Sequence, residues 1–207
     1  MCFDHVGKIF FPHVIVLQII GRVAFVLFSY CAVVGCLYTS DIKKYLTRLL
    51  TAFFISQPIY SLVWSKNPQD FWKNLMAFNI FFDLIVIVSL IGALMNKNWI
   101  LSLAIAIAGS LISNEYGIYG ILLAILFYIF HSDKHLALIA IGMYLIAAFF
   151  TRNNTVILGI GLNLQGFGVL ALPLVFTNTH FHLKINKYFF YIFYPAHLTV
   201  IMLIKIL

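Results

Sequence analysis

The chain has 207 residues, of which 63% are hydrophobic and 9% charged, with 21 Phe and 11 Tyr. Soluble domains are roughly half apolar, so this composition excludes water as the main solvent, and no polar stretch is long enough to fold as a separate soluble domain. The formal net charge of +7 comes from Lys and Arg scattered singly between apolar runs, without the basic patch and interleaved aromatics of a nucleic-acid binder, so membrane lipids are expected partners and nucleic acid is not.

Apolar runs of the roughly 17 to 25 residues that cross a bilayer recur from end to end. The expected fold class is all-α: a polytopic integral membrane protein of about eight or nine hydrophobic helices in one bundle. One transmembrane domain is expected over residues 1–207. Met1 opens almost directly onto Asp4 and His5, with no basic region and cleavage site, so no cleaved signal peptide is expected. A first segment ends near Leu17, and a second, opened by Arg22, runs from about 21 to 37. A third follows the polar stretch 38–48 and continues to Trp64, after which 65–74 reads as a long polar loop. Further segments are expected at about 75–95, 99–112, 117–130, 136–150, 155–176 and 188–207. Lys43, Lys44 and Arg48 in one loop and Lys184 and Lys187 in another fall on the same side by alternation, which the positive-inside rule makes cytoplasmic. Cys2, Cys31 and Cys36 give no disulfide framework, because the last two are five apart on one helix and point in different directions. No internal repeat is evident, which argues against transporters built from paired halves.

Ionisable groups at membrane depth are costly and usually pair or line a cavity. His5 can take a proton from an acceptor group at neutral pH, or can simply mark a helix end at the interface. Asp4 and His5 are adjacent and point about 100° apart on a helix, so Asp4 with Lys8, one turn on, is the simpler pair. Arg22 offers donors to a phosphate or an oxyanion, or snorkels to headgroups. Lys43, Lys44, Tyr45 and Arg48 form a basic turn suited to anionic lipid or to a nucleotide cofactor's phosphates, although positive-inside anchoring alone accounts for it.

Asn79 and Asp83 share a face and need buried polar partners. Tyr116 and Tyr119 follow Glu115 at a segment start, where Gly117, Gly120 and Ala124 permit close helix contact. Gly159-Ile-Gly161 and Gly166-Phe-Gly168 suit close packing around Asn163 and Gln165 better than a phosphate loop. His131 with His135, and His180 with His182, lack accompanying Cys or a placed Glu, so no metal is expected. In the last segment Lys187, Tyr191 and Tyr194 share a face, with His197 three residues further, and Pro195 frees the Tyr191 carbonyl and predicts a kink.

Five blocks, Asp4-His5-Val6-Gly7, Gly21-Arg22-Val23-Ala24-Phe25, Lys44-Tyr45-Leu46-Thr47-Arg48-Leu49, Tyr116-Gly117-x-Tyr119-Gly120 and Lys187-Tyr-Phe-Phe-Tyr-x-Phe-Tyr-Pro-Ala-His197, resemble the TraX family in order and span nearly the whole chain. That family is of bacterial inner-membrane proteins, named for one that N-acetylates pilin, and is similar to the wider class of transmembrane acyltransferases that use acetyl-CoA. The resemblance implies an acetyltransferase in which His5 is the base, Asp4 tunes it and Arg22 assists. It implies that Lys44, Tyr45, Arg48, Lys187, Tyr188 and Tyr191 hold acetyl-CoA, and that Tyr116, Tyr119, Tyr194, His197 and Asn79 line the acceptor cavity. The implied acceptor is a pilin-like N-terminus or a saccharide, and a homodimer is an allowed state. Family members usually carry half a helix ahead of the Asp-His pair, so the first helix is expected to be incomplete. The competing expectations are a small proton-coupled carrier built on intramembrane histidines and a non-catalytic assembly protein.

Overall fold

The first helix, Cys2–Phe10 (α1), stops just ahead of Pro12. Proline disfavours helical geometry in the residue before it and cannot donate to the ladder, so the chain turns there. The second helix, Ile15–Tyr38 (α2), then starts earlier than the expected position 21 and runs straight through Gly21. A glycine inside an apolar helix costs only about 1 kcal/mol relative to alanine, too little to end it. Arg22 therefore lies about two turns inside α2 instead of opening a segment.

The computed structural model describes residues 1–113, 115–151, 155–157, 160–177, 186 and 188–206. Packing divides the chain into two units, Met1–Cys31 with Leu123–His180, and Ala32–Leu122 with Phe181–Leu207. The described residues are overwhelmingly helical, as the all-α expectation requires.

In the first unit α1 folds back onto α2 through two glycines. A Cβ on Gly7 would lie 2.8 Å from Leu17 Cβ, and one on Gly21 would collide with the Asp4 side chain. Helix α8, Lys134–Ala148, is capped by Asp133, whose carboxylate accepts from the backbone N–H groups of His135 and Leu136. The stretch 155–176, expected as one helix, is not one. It holds an antiparallel pair of short strands, Thr155–Ile157 (β1) and Ile160–Leu162 (β2), then a 3-10 helix, Leu164–Ala171, and a short α-helix, Leu172–Phe176 (α9). Asn163 decides part of this. Its Oδ1 caps the 3-10 helix by accepting from Gln165 N, and its Nδ2 donates to Thr151 Oγ1 at 2.8 Å. Gly166 then packs face-on to the Phe149 ring, where any Cβ would collide. A polar cap and close glycine contacts inside an apolar run override hydropathy, and Pro173 starts α9 at a position where its missing N–H costs nothing.

In the second unit Ile42–Trp64 (α3) is the centre, packed against Pro68–Leu75 (α4), Ile80–Met95 (α5) and Phe189–Ile206 (α10). Helix α4 occupies the stretch read as a polar loop. Pro68 opens it, and Asp70 Oδ2 reaches back to the N–H groups of Lys66 and Asn67, each at 3.2 Å, a short-range capping signal that hydropathy does not register. Helix α6, Trp99–Ile112, has the expected bounds, is capped by Asn98, and lies on α5 where Gly109 makes room for Val86. Helix α7 spans Gly117–Ile129.

Helices α3 and α10 run in the same direction. At one end Tyr188 and Tyr191 stand beside Lys44 and Arg48, and at the other Lys205 Nζ donates to the carbonyls of Val63 and Ser65, both at 2.8 Å. A lysine on the last carbonyls of a helix satisfies orphan acceptors and opposes the negative end of the dipole.

Among the described residues, three helical stretches are long and apolar enough to cross a membrane: Ile15–Tyr38, Ile42–Trp64 and Pro68–Met95, the last running through α4 and α5. Helices α6, α7, α8 and α10 are apolar but shorter.

Candidate functional site

The first unit buries a charge cluster. Asp4 is 3% exposed, His5 1% and Arg22 9%, so Arg22 is not snorkelling to headgroups. Asp4 Oδ1 accepts from Arg22 Nη2 at 2.9 Å, and Asp4 Oδ2 pairs with Lys8 Nζ at 2.9 Å. Burying a lone carboxylate or guanidinium is strongly unfavourable, whereas a hydrogen-bonded pair is tolerated. Asp4 thus spends its oxygens on fixing the guanidinium and Lys8, and any influence it has on the neighbouring His5 sits beside that task. His5 follows Asp4 on α1 at helical spacing, so its ring leaves the helix in another direction. Gly21 is the residue that lets Asp4 reach α2 at all.

The second unit carries a basic groove. Lys44, Thr47, Arg48, Thr51, Ala52 and Ile55 repeat at helical spacing on one face of α3, and with Tyr188, Tyr191 and Ile192 of α10 they enclose about 460 Å³. Arg48 is positioned by aromatics: its guanidinium lies over the Tyr45 ring at 5.8 Å, and Tyr191 lines the same groove. Tyr45 in turn packs on Gly35, where a Cβ would come within 2.9 Å of its ring. Lys44 is placed by Asp41, whose carboxylate caps α3 by accepting from Lys44 N at 3.0 Å and pairs with Lys44 Nζ at 3.4 Å. That backbone hydrogen bond holds the Asp41 carboxyl below the usual carboxylate range. Of the expected cofactor-binding residues, Lys44, Arg48, Tyr188 and Tyr191 therefore share one groove, and Tyr45 supports Arg48 from behind. Lys187 lies outside the described residues, as do Lys184, His180 and His182.

The residues expected to line an acceptor cavity divide into three places. Tyr194 and His197 follow one another down α10, ring centroids 5.2 Å apart, and Tyr194 meets Phe81 edge-on at 5.0 Å. His197 is 7% exposed, stacks on Phe193, and has Nδ1 3.0 Å from the Phe193 carbonyl. Tyr116 and Tyr119 pair at 6.5 Å at the start of α7, near Tyr60, whose hydroxyl reaches Glu115 Oε1 at 3.4 Å. Asn79 is fully buried and caps α5 by accepting from Phe81 N, while its side-chain amide donates to Gln57 Oε1 at 2.8 Å. Its position is architectural. Asp83, on the same helix, accepts from the Ser113 hydroxyl, which in turn accepts from Gly117 N.

The TraX family model, described as TraX protein, matches residues 1–205, a range that contains both the buried ion pairs of the first unit and the basic, aromatic groove of the second. The chain belongs to the TraX family. With its span-length apolar helices, this TraX-family chain is a membrane protein. No curated protein and no solved structure matches it.

Two contributors to this TraX-family architecture escape the sequence reading. Gln57, 5% exposed inside α3, donates through Nε2 to the carbonyls of Leu75 and Ala77, both at 3.0 Å, and accepts from Asn79 through Oε1. It thereby pins the break between α4 and α5. Its only sequence signal is a lone amide in an apolar run, a residue type that at membrane depth needs partners. Ser113 is the other, supplying the partner that Asp83 was expected to need. Among the described residues no three His, Cys, Asp or Glu side chains gather where a metal ion would be held.

Proposed function

We propose that this chain is a membrane acetyltransferase of the bacterial cytoplasmic membrane, multi-pass, moving an acetyl group from cytosolic acetyl-CoA to an envelope or exported acceptor such as a pilin-like N-terminus or a saccharide. The observation that carries the reading is the buried Asp4–Arg22 pair beside the buried His5, in a chain of this family. Charges are kept at depth when function requires them.

The residues divide the work. His5 takes the proton of the acceptor amine or hydroxyl as it attacks. Arg22, fixed by Asp4, offers N–H donors to the oxygen on which charge develops, and a donor already in place loses nothing to reorganisation. The donor, when bound, supplies a thioester carbonyl whose C–S bond breaks as the bond to the acceptor forms, and CoA leaves as the thiol with the proton that His5 took. Its phosphates suit the Lys44 and Arg48 groove, whose lining among the described residues includes cations and phenols but no carboxylate. Tyr194, His197, Tyr116 and Tyr119 are the proposed acceptor-facing wall.

The test is transfer of labelled acetyl from acetyl-CoA to envelope material in membranes containing the chain. Transfer is expected to fall by about two to four orders of magnitude in His5→Ala, the usual scale for loss of a general base. Wild-type transfer by His5→Ala would sink the reading.

A further inference from the structure

The groove between α3 and α10 is graded along its length. Lys44 and Arg48 stand at the end next to the Asp41 cap, and Ala52, Ile55 and Ile192 form the other end. Between them Thr47 and Thr51 spend their hydroxyl protons on the carbonyls of Lys43 and Thr47, both at 2.9 Å, so the middle of the groove offers little to a polar ligand. The apolar end also opens sideways. Ile55 is 56% exposed and Ile192 66%, and their chain neighbours Phe54 and Phe193 are exposed too. On a membrane protein such a surface faces acyl chains. A soluble nucleotide has no use for that lateral opening; a lipid does.

The geometry points to a phospholipid site: one anionic phospholipid seats its phosphate between Lys44 and Arg48 and lays one acyl chain along Ala52, Ile55 and Ile192. The charge is complementary, because the lining holds cations and no carboxylate among the described residues. The guanidinium is pre-arranged, because the Tyr45 ring lies against it before any ligand arrives. The cations are also those assigned above to the donor's phosphates. Resting on that reading for this one consequence, lipid and CoA exclude one another, so anionic lipid regulates access of the donor.

The full chain, purified in detergent, is exchanged against phosphatidylglycerol or phosphatidylcholine of identical chains and weighed by native mass spectrometry. Wild type is expected to retain one phosphatidylglycerol with about tenfold preference, and Lys44→Gln/Arg48→Gln to lose that preference. Ile192→Trp, which leaves both charges and fills the apolar end, is expected to lower retention of phosphatidylglycerol several-fold at unchanged helix content by circular dichroism. Equal retention of the two lipids by wild type, or an undiminished preference in the double variant, overturns the site. CoA is then titrated into the phosphatidylglycerol-loaded protein. Loss of the lipid peak supports a shared seat; CoA bound alongside retained lipid overturns the exclusion and leaves the lipid site standing. Retained lipid with no CoA bound at all counts against the donor reading instead.

Discussion

Asp4 reaches Arg22 across Gly21, a position on α2 where no side chain intervenes, with Oδ1 and Nη2 2.9 Å apart. The contact couples a backbone requirement to an electrostatic one. Gly21→Ala is expected to destabilise the protein by about 1–3 kcal/mol, the range for overpacking a tight contact, and to weaken the proposed acetyl transfer by displacing Asp4. Thermal melting in detergent, read alongside transfer, checks this. An unshifted melt would show that α1 can move off α2 at little cost.

Removing one member of the buried pair strands the other. Asp4→Asn is expected to cost about 3–5 kcal/mol, because it leaves Arg22 and Lys8 without their counter-charge. Replacing both partners, as in Asp4→Leu/Arg22→Met, is expected to recover most of that loss while abolishing the proposed transfer. A double-mutant cycle by chemical denaturation measures the coupling, and additive single-mutant costs would refute it.

Gln57, itself buried, holds the α4–α5 break through hydrogen bonds that it donates to the carbonyls of Leu75 and Ala77 and accepts from Asn79. Gln57→Leu, similar in volume, leaves the carbonyls of Leu75 and Ala77 and the Asn79 amide to find other partners, at about 1–3 kcal/mol for each group orphaned. Hydrogen exchange is expected to quicken first at Asn79, Ile80 and Phe81. Uniform quickening across α5 and α6 would instead mean that Gln57 matters only to global stability.

The Asp41 cap gives α3 a pH dependence with a defined sign. Its carboxyl lies below the usual range in the folded protein because it accepts from Lys44 N. Its contribution is complete above the unfolded value, about 3.9, and is lost as pH falls through the lower folded value. Asp41→Asn keeps a capping oxygen and removes the titration. Melting curves at pH 6 and pH 3 are therefore expected to differ less for Asp41→Asn than for wild type, and an identical difference would show that other carboxylates carry the acid sensitivity.

Much of this architecture is legible in the residues alone. Residues 99–112 and 117–130 read as helices because they are apolar runs bounded by Asn98 and Ser113 or by Gly117 and the polar stretch after Phe130, and the structure agrees to within a residue. Asp4 and Lys8, one turn apart, could be paired on paper and are paired in space. The α3 and α10 blocks announce a basic turn and an aromatic stripe before anything shows that they face each other. The stretch 155–176 shows where such reading stops. Its hydropathy is that of a helix, but Asn163 and the contact of Gly166 with Phe149 make a hairpin and a 3-10 turn more favourable, and neither partner is near in sequence-pattern terms.

Sequence by itself determined the solvent, the helical class, the family and the identity of the costly polar groups, because burial cost and helical spacing are properties of residue type and order. Tertiary structure decided how those groups are used. Only the approach of α1 to α2 turned Arg22 from a headgroup anchor into half of a buried pair, because that approach depends on the space above Gly21. Only the parallel packing of α3 with α10 made a groove of Lys44, Arg48 and Tyr191, because residues more than a hundred positions apart meet through side-chain volume and helix direction, which no local pattern encodes.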